Sequence, residues 1–277
     1  KFLSETASLP RLSLNPDGGT TSSVDSSAIS KVDADRIVSG ITRSWADGSK
    51  NVSVVDAFKG LPVLIRMYAY QQGAGEKTVK GVFHEGKLYV VRNNHSSAEA
   101  LEQTIFHEAY GHYGLSKLFG QNLDKQLNLL YAAIGGAKGV RKYAEKYKIN
   151  LDKYFDGLQS YDAETRNSIL VDELLAHMAQ DQKPSVAKRA KELLGAIRNW
   201  LRDKGFMLLA KYNDSDLMYL LKLSKKAVEE GTLTDNKGRT SPVFVVNEPK
   251  NEESTPRFSI GDDENDADAL EKLGLRP

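Results

Sequence analysis

From Ser97 to Glu230 the apolar residues recur at three- and four-residue spacing, whereas β-branched runs are confined to short stretches before Arg92. A chain patterned this way cannot build an extended sheet. Its core has to be mostly helical, with a small sheet contributed by the N-terminal part. In order, the pattern predicts a helix from Asp33 to Trp45, a strand from Val52 to Phe58, and a helix that opens behind Pro62 and stops before Gly73. Two short β-rich runs, Thr78 to Phe83 and Lys87 to Val91, flank His84-Glu85-Gly86 and read as a hairpin. Ser96 with Glu99 three residues on is a capping-box pattern, and the next helix should run from about Ser97 to Phe119. Helices follow over Leu123 to Ile134, Val140 to Tyr147, Ala163 to Gln180, Pro184 to Asp203 and Asp214 to Glu230.

Composition sets the domain limits. Residues 1–25 are rich in Ser, Thr, Pro and Gly, and residues 232–277 turn polar and then acidic at Gly261-Asp262-Asp263-Glu264; both read as flexible tails around a folded domain at 26–231. The formal charge is +1, and the basic residues between Lys183 and Lys204 interleave with apolar ones at helical spacing, which favours a packed helix with a solvated face over a nucleic-acid patch. No run has the length of a membrane span. The chain has no cysteine, so a transition metal would have to be held by His, Asp and Glu.

Two of the five histidines sit in one helical run, Ile105-Phe106-His107-Glu108-Ala109-Tyr110-Gly111-His112-Tyr113. In an HExxH helix the histidines are four apart and bind zinc on one face, while the glutamate acts as general base. Here they are five apart, which on a regular helix places His107 and His112 roughly 140° apart around the axis. To converge on one ion, the backbone must leave the α-helix between Glu108 and Tyr113, by a π-type turn or by ending near Gly111, with Gly111 absorbing the strain. A catalytic zinc takes a third protein ligand. Val171-Asp172-Glu173-Leu174-Leu175-Ala176-His177 supplies it best through Glu173, with His177 one turn on to steady the shell. Glu108 then takes the proton of the attacking water. His84 and His95 read as non-ligands. Tyr110, Tyr113 and Tyr161 are candidate oxyanion donors, although helical tyrosines are more often core residues.

These runs, together with Gly81-Val82-Phe83-His84-Glu85-Gly86-Lys87-Leu88-Tyr89-Val90-Val91, resemble the zincin-like metallopeptidase modules of large polyvalent proteins from bacteriophages and mobile elements. The resemblance spans about residues 33–231. It implies an α+β, mostly helical, zincin-like fold in which a small N-terminal sheet and the metal-site helix precede a helical half. It also implies Zn2+ on His107, His112 and Glu173, with Glu108 catalytic. Arg257-Phe258-Ser259-Ile260, echoed by Arg11-Leu12-Ser13-Leu14, resembles the linkers between such modules. The expected activity is hydrolysis of a protein or peptide bond, with the parent polyprotein among the candidate substrates, in a phage virion or bacterial host cytoplasm. No nucleic-acid or membrane partner is expected. Two alternatives stand beside it: a noncatalytic module of the same fold, and a helical carboxylate-histidine metal protein pairing Glu108 with His112 and Glu173 with His177.

Overall fold

The computed structural model describes residues 10–14, 28–71, 73–182, 185–203 and 211–231. All belong to one compact unit, Lys1–Asn247; a second unit, Glu248–Pro277, and with it the C-terminal tail expected over 232–277, lies outside the described residues.

The sheet has four strands in the order β1-β3-β4-β2: β1 is Arg11–Leu14, β2 Val52–Val55, β3 Val79–His84 and β4 Lys87–Val91. β3 and β4 form the expected hairpin, with Glu85 and Gly86 at φ of 49° and 76° in the two-residue turn. β2 pairs parallel with β4 and β1 pairs antiparallel with β3. β1 corrects the N-terminal reading. Composition assigned residues 1–25 to a flexible tail, yet Arg11 and Leu12 are buried, held by ion pairs and an apolar cluster from distant parts of the chain. The remaining residues of that stretch, apart from Pro10, lie outside the described residues.

Helices cover both faces of the sheet. On one, α2 (Val63–Gln71) packs Ile65 and Ala69 with Phe58, Val79, Val82 and Val91. On the other, Leu88 and Val90 join the main core with Leu101 and Ile105 of α3 (Ala98–Phe106) and with Ala34 and Val38 of α1 (Lys31–Thr42). The cap of α3 is Ser97, whose side chain accepts from the Ala100 amide, rather than Ser96. Beyond α3 the chain makes a π-helical segment, His107–Tyr113, and continues as α4 (Gly114–Phe119).

The helical half comprises α5 (Leu123–Ala133), α6 (Gly136–Lys146), a short α7 (Asp152–Gly157) that the periodicity did not show, α8 (Ala163–Ala179), α9 (Val186–Asp203) and α10 (Asp214–Glu230). α8 is buried nearly all round from Ser168 onward. Its Leu174 and Leu175 are fully buried, each contributing about 2 kcal/mol by removal from water. α9 is rotated relative to the expected stripe. Leu193 and Ile197 are exposed, because α9 docks on α10 through Arg198 and Arg202, which ion-pair with the buried Asp216 at 3.1 and 2.9 Å.

Candidate metal centre

The centre lies where the π-helical segment crosses α8. A π turn is wider than an α turn, so one extra residue fits between positions that share a face. That is the requirement set by the five-residue spacing, and the backbone meets it over His107–Tyr113. His107 Nε2 and His112 Nε2 are consequently 3.2 Å apart. Gly111 has a different role from the one expected. It is not in the left-handed region; a Cβ there would stand 2.5 Å from both Cα and Cβ of Ala176. Glycine is required because α8 passes against it, and this close approach carries Glu173 to the histidines.

Glu173 Oε2 is 3.5 Å from His107 Nε2, and Oε1 is 3.7 Å from His112 Nε2. All three side chains are buried, and one ligand atom from each lies within 4.8 Å of the others. With bonds of 2.0–2.1 Å, neighbouring ligands of a tetrahedral ion stand about 3.3–3.4 Å apart. The observed separations bracket that value, so the three residues can hold a metal ion.

Each histidine is oriented from behind. His112 Nδ1 is 3.0 Å from Asp172 Oδ2, which turns its Nε2 edge toward the cluster. His107 Nδ1 is 3.0 Å from the Gln180 amide, which also lies 3.1 Å from His177 Nδ1. The Gln180 side-chain amide thus sits against both Nδ1 atoms and braces the His107 ring with its Nε2 edge facing the cluster. His177 packs edge-on against His107, ring centroids 4.7 Å apart, and stands outside the ligand group. Burial pushes its imidazole down to about 3, so it remains a neutral brace. Asp172 is in turn held by Arg11, whose Nε is 3.1 Å from its Oδ2.

Charge is distributed unevenly across the centre. Burial, reinforced by the neighbouring His112, keeps His107 well below the usual imidazole range. Burial also disfavours a charged His112, but the fields of Asp172 and Glu173 outweigh it and lift the ring to about 9. Asp172 lies below the ordinary carboxylate range because His112 and Arg11 overcome the desolvation that would raise it. For Glu173 burial dominates and raises it.

Glu108 is fully buried and projects from the same π segment toward β3. A Cβ on Gly81 would lie 2.8 Å from Glu108 Oε1 and 2.9 Å from its Cγ, so the missing side chain is the recess that admits the carboxylate. His107, rather than Glu108, groups with His112 and Glu173, whereas the field of Glu108 still reaches His112. His84 closes β3, and His95 bonds Val91 O and Thr104 Oγ1; neither joins the ligand group.

Sequence reasoning missed four contributors: Arg11, Tyr154, Gln180 and the orienting role of Asp172. The candidate tyrosines engage elsewhere: Tyr110 donates to Glu229, Tyr113 to Asp47, and Tyr161 bonds Tyr68. Tyr154 of α7 is the phenol at the centre, hydrogen-bonded to Glu173 and within 3.1 Å of the Leu12 carbonyl. The usable signal was on α8, where Glu173, His177 and Gln180 form a polar stripe at helical spacing in a helix otherwise apolar on that stretch. A cavity of about 350 Å³, lined by Arg11, Leu12, Tyr68, Tyr154, Ile169 and Glu173, borders the centre on its Glu173 side.

Comparison with protein-family models, curated proteins and solved structures finds no match to this chain.

Proposed function

We propose that this chain is a zinc-dependent metallopeptidase of zincin-like fold, a module of a phage-type polyvalent protein that acts on a protein or peptide bond in the virion or the bacterial host cytoplasm. The observation that carries this reading is the π turn: it brings His107 and His112 onto Glu173 in a buried set of two imidazoles and a carboxylate, with a second carboxylate, Glu108, beside it. Two histidines and a glutamate without thiolates match the donors of one kind of catalytic zinc site, which keeps a fourth position for water or substrate. Among the described residues no helix is long and apolar enough to cross a membrane.

Bound zinc would lower the pKa of a water molecule and polarise the scissile carbonyl. The protein supplies the rest. Asp172 and Gln180 hold the two rings from behind, so both Nε2 edges face the cluster. The Tyr154 hydroxyl orients Glu173. Glu108, recessed against Gly81, accepts the proton of the attacking water on a carboxylate oxygen and passes it to the leaving amine.

Metal content by mass spectrometry, measured together with cleavage of the chain itself and of a peptide library, tests the reading. One zinc per chain with cleavage products that vanish in Glu108→Gln is the expected result. Zinc without cleavage in either form would favour the noncatalytic module.

A further inference from the structure

β1 occupies a seat that is built for it. Its backbone pairs with β3 from Arg11 opposite Phe83 to Ser13 opposite Gly81. Arg11 and Leu12 point to opposite faces, as neighbours on a strand must. Leu12 is buried with Phe58, Ile65, Val79 and Val82, while the Arg11 guanidinium reaches Asp172 at 3.1 Å and Asp124 at 3.3 Å. The Tyr154 hydroxyl donates to the Leu12 carbonyl at 3.1 Å. Were β1 lifted away, β3 would present an open edge flanked by an apolar socket on one face and two carboxylates on the other. An edge of that kind is a template for an extended peptide.

The chain carries the matching sequence twice. Pro10-Arg11-Leu12-Ser13-Leu14 and Pro256-Arg257-Phe258-Ser259-Ile260 share the proline, the arginine and the serine, with an apolar residue at each remaining position. Each supplies what the seat reads, an arginine followed by an apolar residue on the opposite face. Each also places proline directly before the arginine, a position at which, in β1, its missing N–H costs no ladder bond. Phe258 is larger than Leu12, and the cavity of about 350 Å³ bordering Leu12 provides room for the ring.

We infer that the β3 edge is a receptor for Pro-Arg-apolar-Ser-apolar strands, filled by β1, and that residues 256–260 are a second ligand able to replace it. A peptide of that sequence seated on the edge would set its arginine against Asp172 in place of Arg11, so the carboxylate that orients His112 touches whichever strand is seated. The inference does not rest on hydrolysis, and its test is a binding measurement.

A fluorescein-labelled synthetic peptide of residues 253–262 is titrated into the full chain and into full-chain Leu12→Asp, which unseats β1. Removing the resident competitor should tighten binding at least about tenfold, and an Arg257→Glu peptide should lose at least about tenfold, the change expected from one well-formed charged contact. Asp124→Arg, in the Leu12→Asp background, should weaken the natural peptide and recover binding to the Arg257→Glu peptide. An arm on the unmodified chain avoids any dependence on variant folding: excess peptide should speed amide hydrogen exchange at residues 10–14 while residues 79–84 stay protected. Equal binding of the natural and Arg257→Glu peptides, or unchanged exchange at residues 10–14 under saturating peptide, would overturn the inference.

Discussion

Gly111→Ala isolates the close approach that assembles the metal centre. The added methyl would meet Ala176 Cα and Cβ at 2.5 Å. Carbon atoms settle about 3.5–4.0 Å apart, so α8 would have to recede by about 1 Å. One of the two atoms is backbone and cannot rotate aside, which places the cost toward the upper end of the overpacking range, about 3 kcal/mol. For a domain of this size that lowers the melting temperature by about 6–12 °C. Glu173 is three residues before Ala176 on α8 and would recede with it, from 3.5 and 3.7 Å to beyond reach of an ion centred between the histidines. Zinc at a hundredfold excess over Kd stabilises a folded chain by about 2.7 kcal/mol, so calorimetry with and without zinc reads both effects. The variant should melt lower without metal and show a diminished rise on adding it. A second change, Ala176→Gly, should restore only part of the loss, because it removes the methyl of residue 176 and leaves the backbone carbon in the way. An unchanged melting temperature with an unchanged zinc increment would refute the close-approach argument.

Glu108→Gln should retain zinc and slow peptide hydrolysis by about 10²–10⁴-fold, whereas His107→Ala should lose the metal, as metal analysis and cleavage rates on the same preparations would show. Asp172→Asn should weaken zinc binding by about 10–100-fold in a calorimetric titration, because the charge that orients His112 is removed while the shape is kept. Stability should also fall in acid through His95. Burial, outweighing the hydrogen bond to Val91 O, pushes this imidazole down to about 4, so between about 4 and its ordinary 6.5 the unfolded chain binds more protons. The contribution is therefore complete above pH 6.5 and lost as pH falls through 4, a span of about 3 kcal/mol, and urea midpoints at pH 7, 5.5 and 4.5 should flatten in His95→Asn.

The local elements were legible where the period was long enough to read. α10 begins at Asp214 and ends at Glu230 as expected, and the hairpin turn falls at Glu85-Gly86. The distorted turn could be anticipated because geometry leaves few ways for His107 and His112 to meet. Its glycine was misread, because helix strain is a local argument and the approach of Ala176 is tertiary. Arg11 was hidden for the same reason: a four-residue strand among Ser, Thr and Gly carries no period, and its partners Asp124 and Asp172 are far along the chain. Tyr154 sits on a helix too short to announce itself. Gln180 was within reach, since it continues the polar stripe begun by Glu173 and His177.

The seating of β1 also bears on when the centre can form during synthesis. Leu12 meets the Tyr154 hydroxyl across 142 residues of chain, and the Asp172 carboxylate that takes Arg11 lies further on still. At about 5–20 residues per second, the strand emerges about 7–30 s before Tyr154 does. His112 in turn precedes Glu173 by 173 − 112 = 61 residues, so at the same rate the two histidines wait about 3–12 s for their third partner. The ribosome thus releases the two histidines well before their third partner, and a metal ion captured early would be held by an incomplete set of ligands.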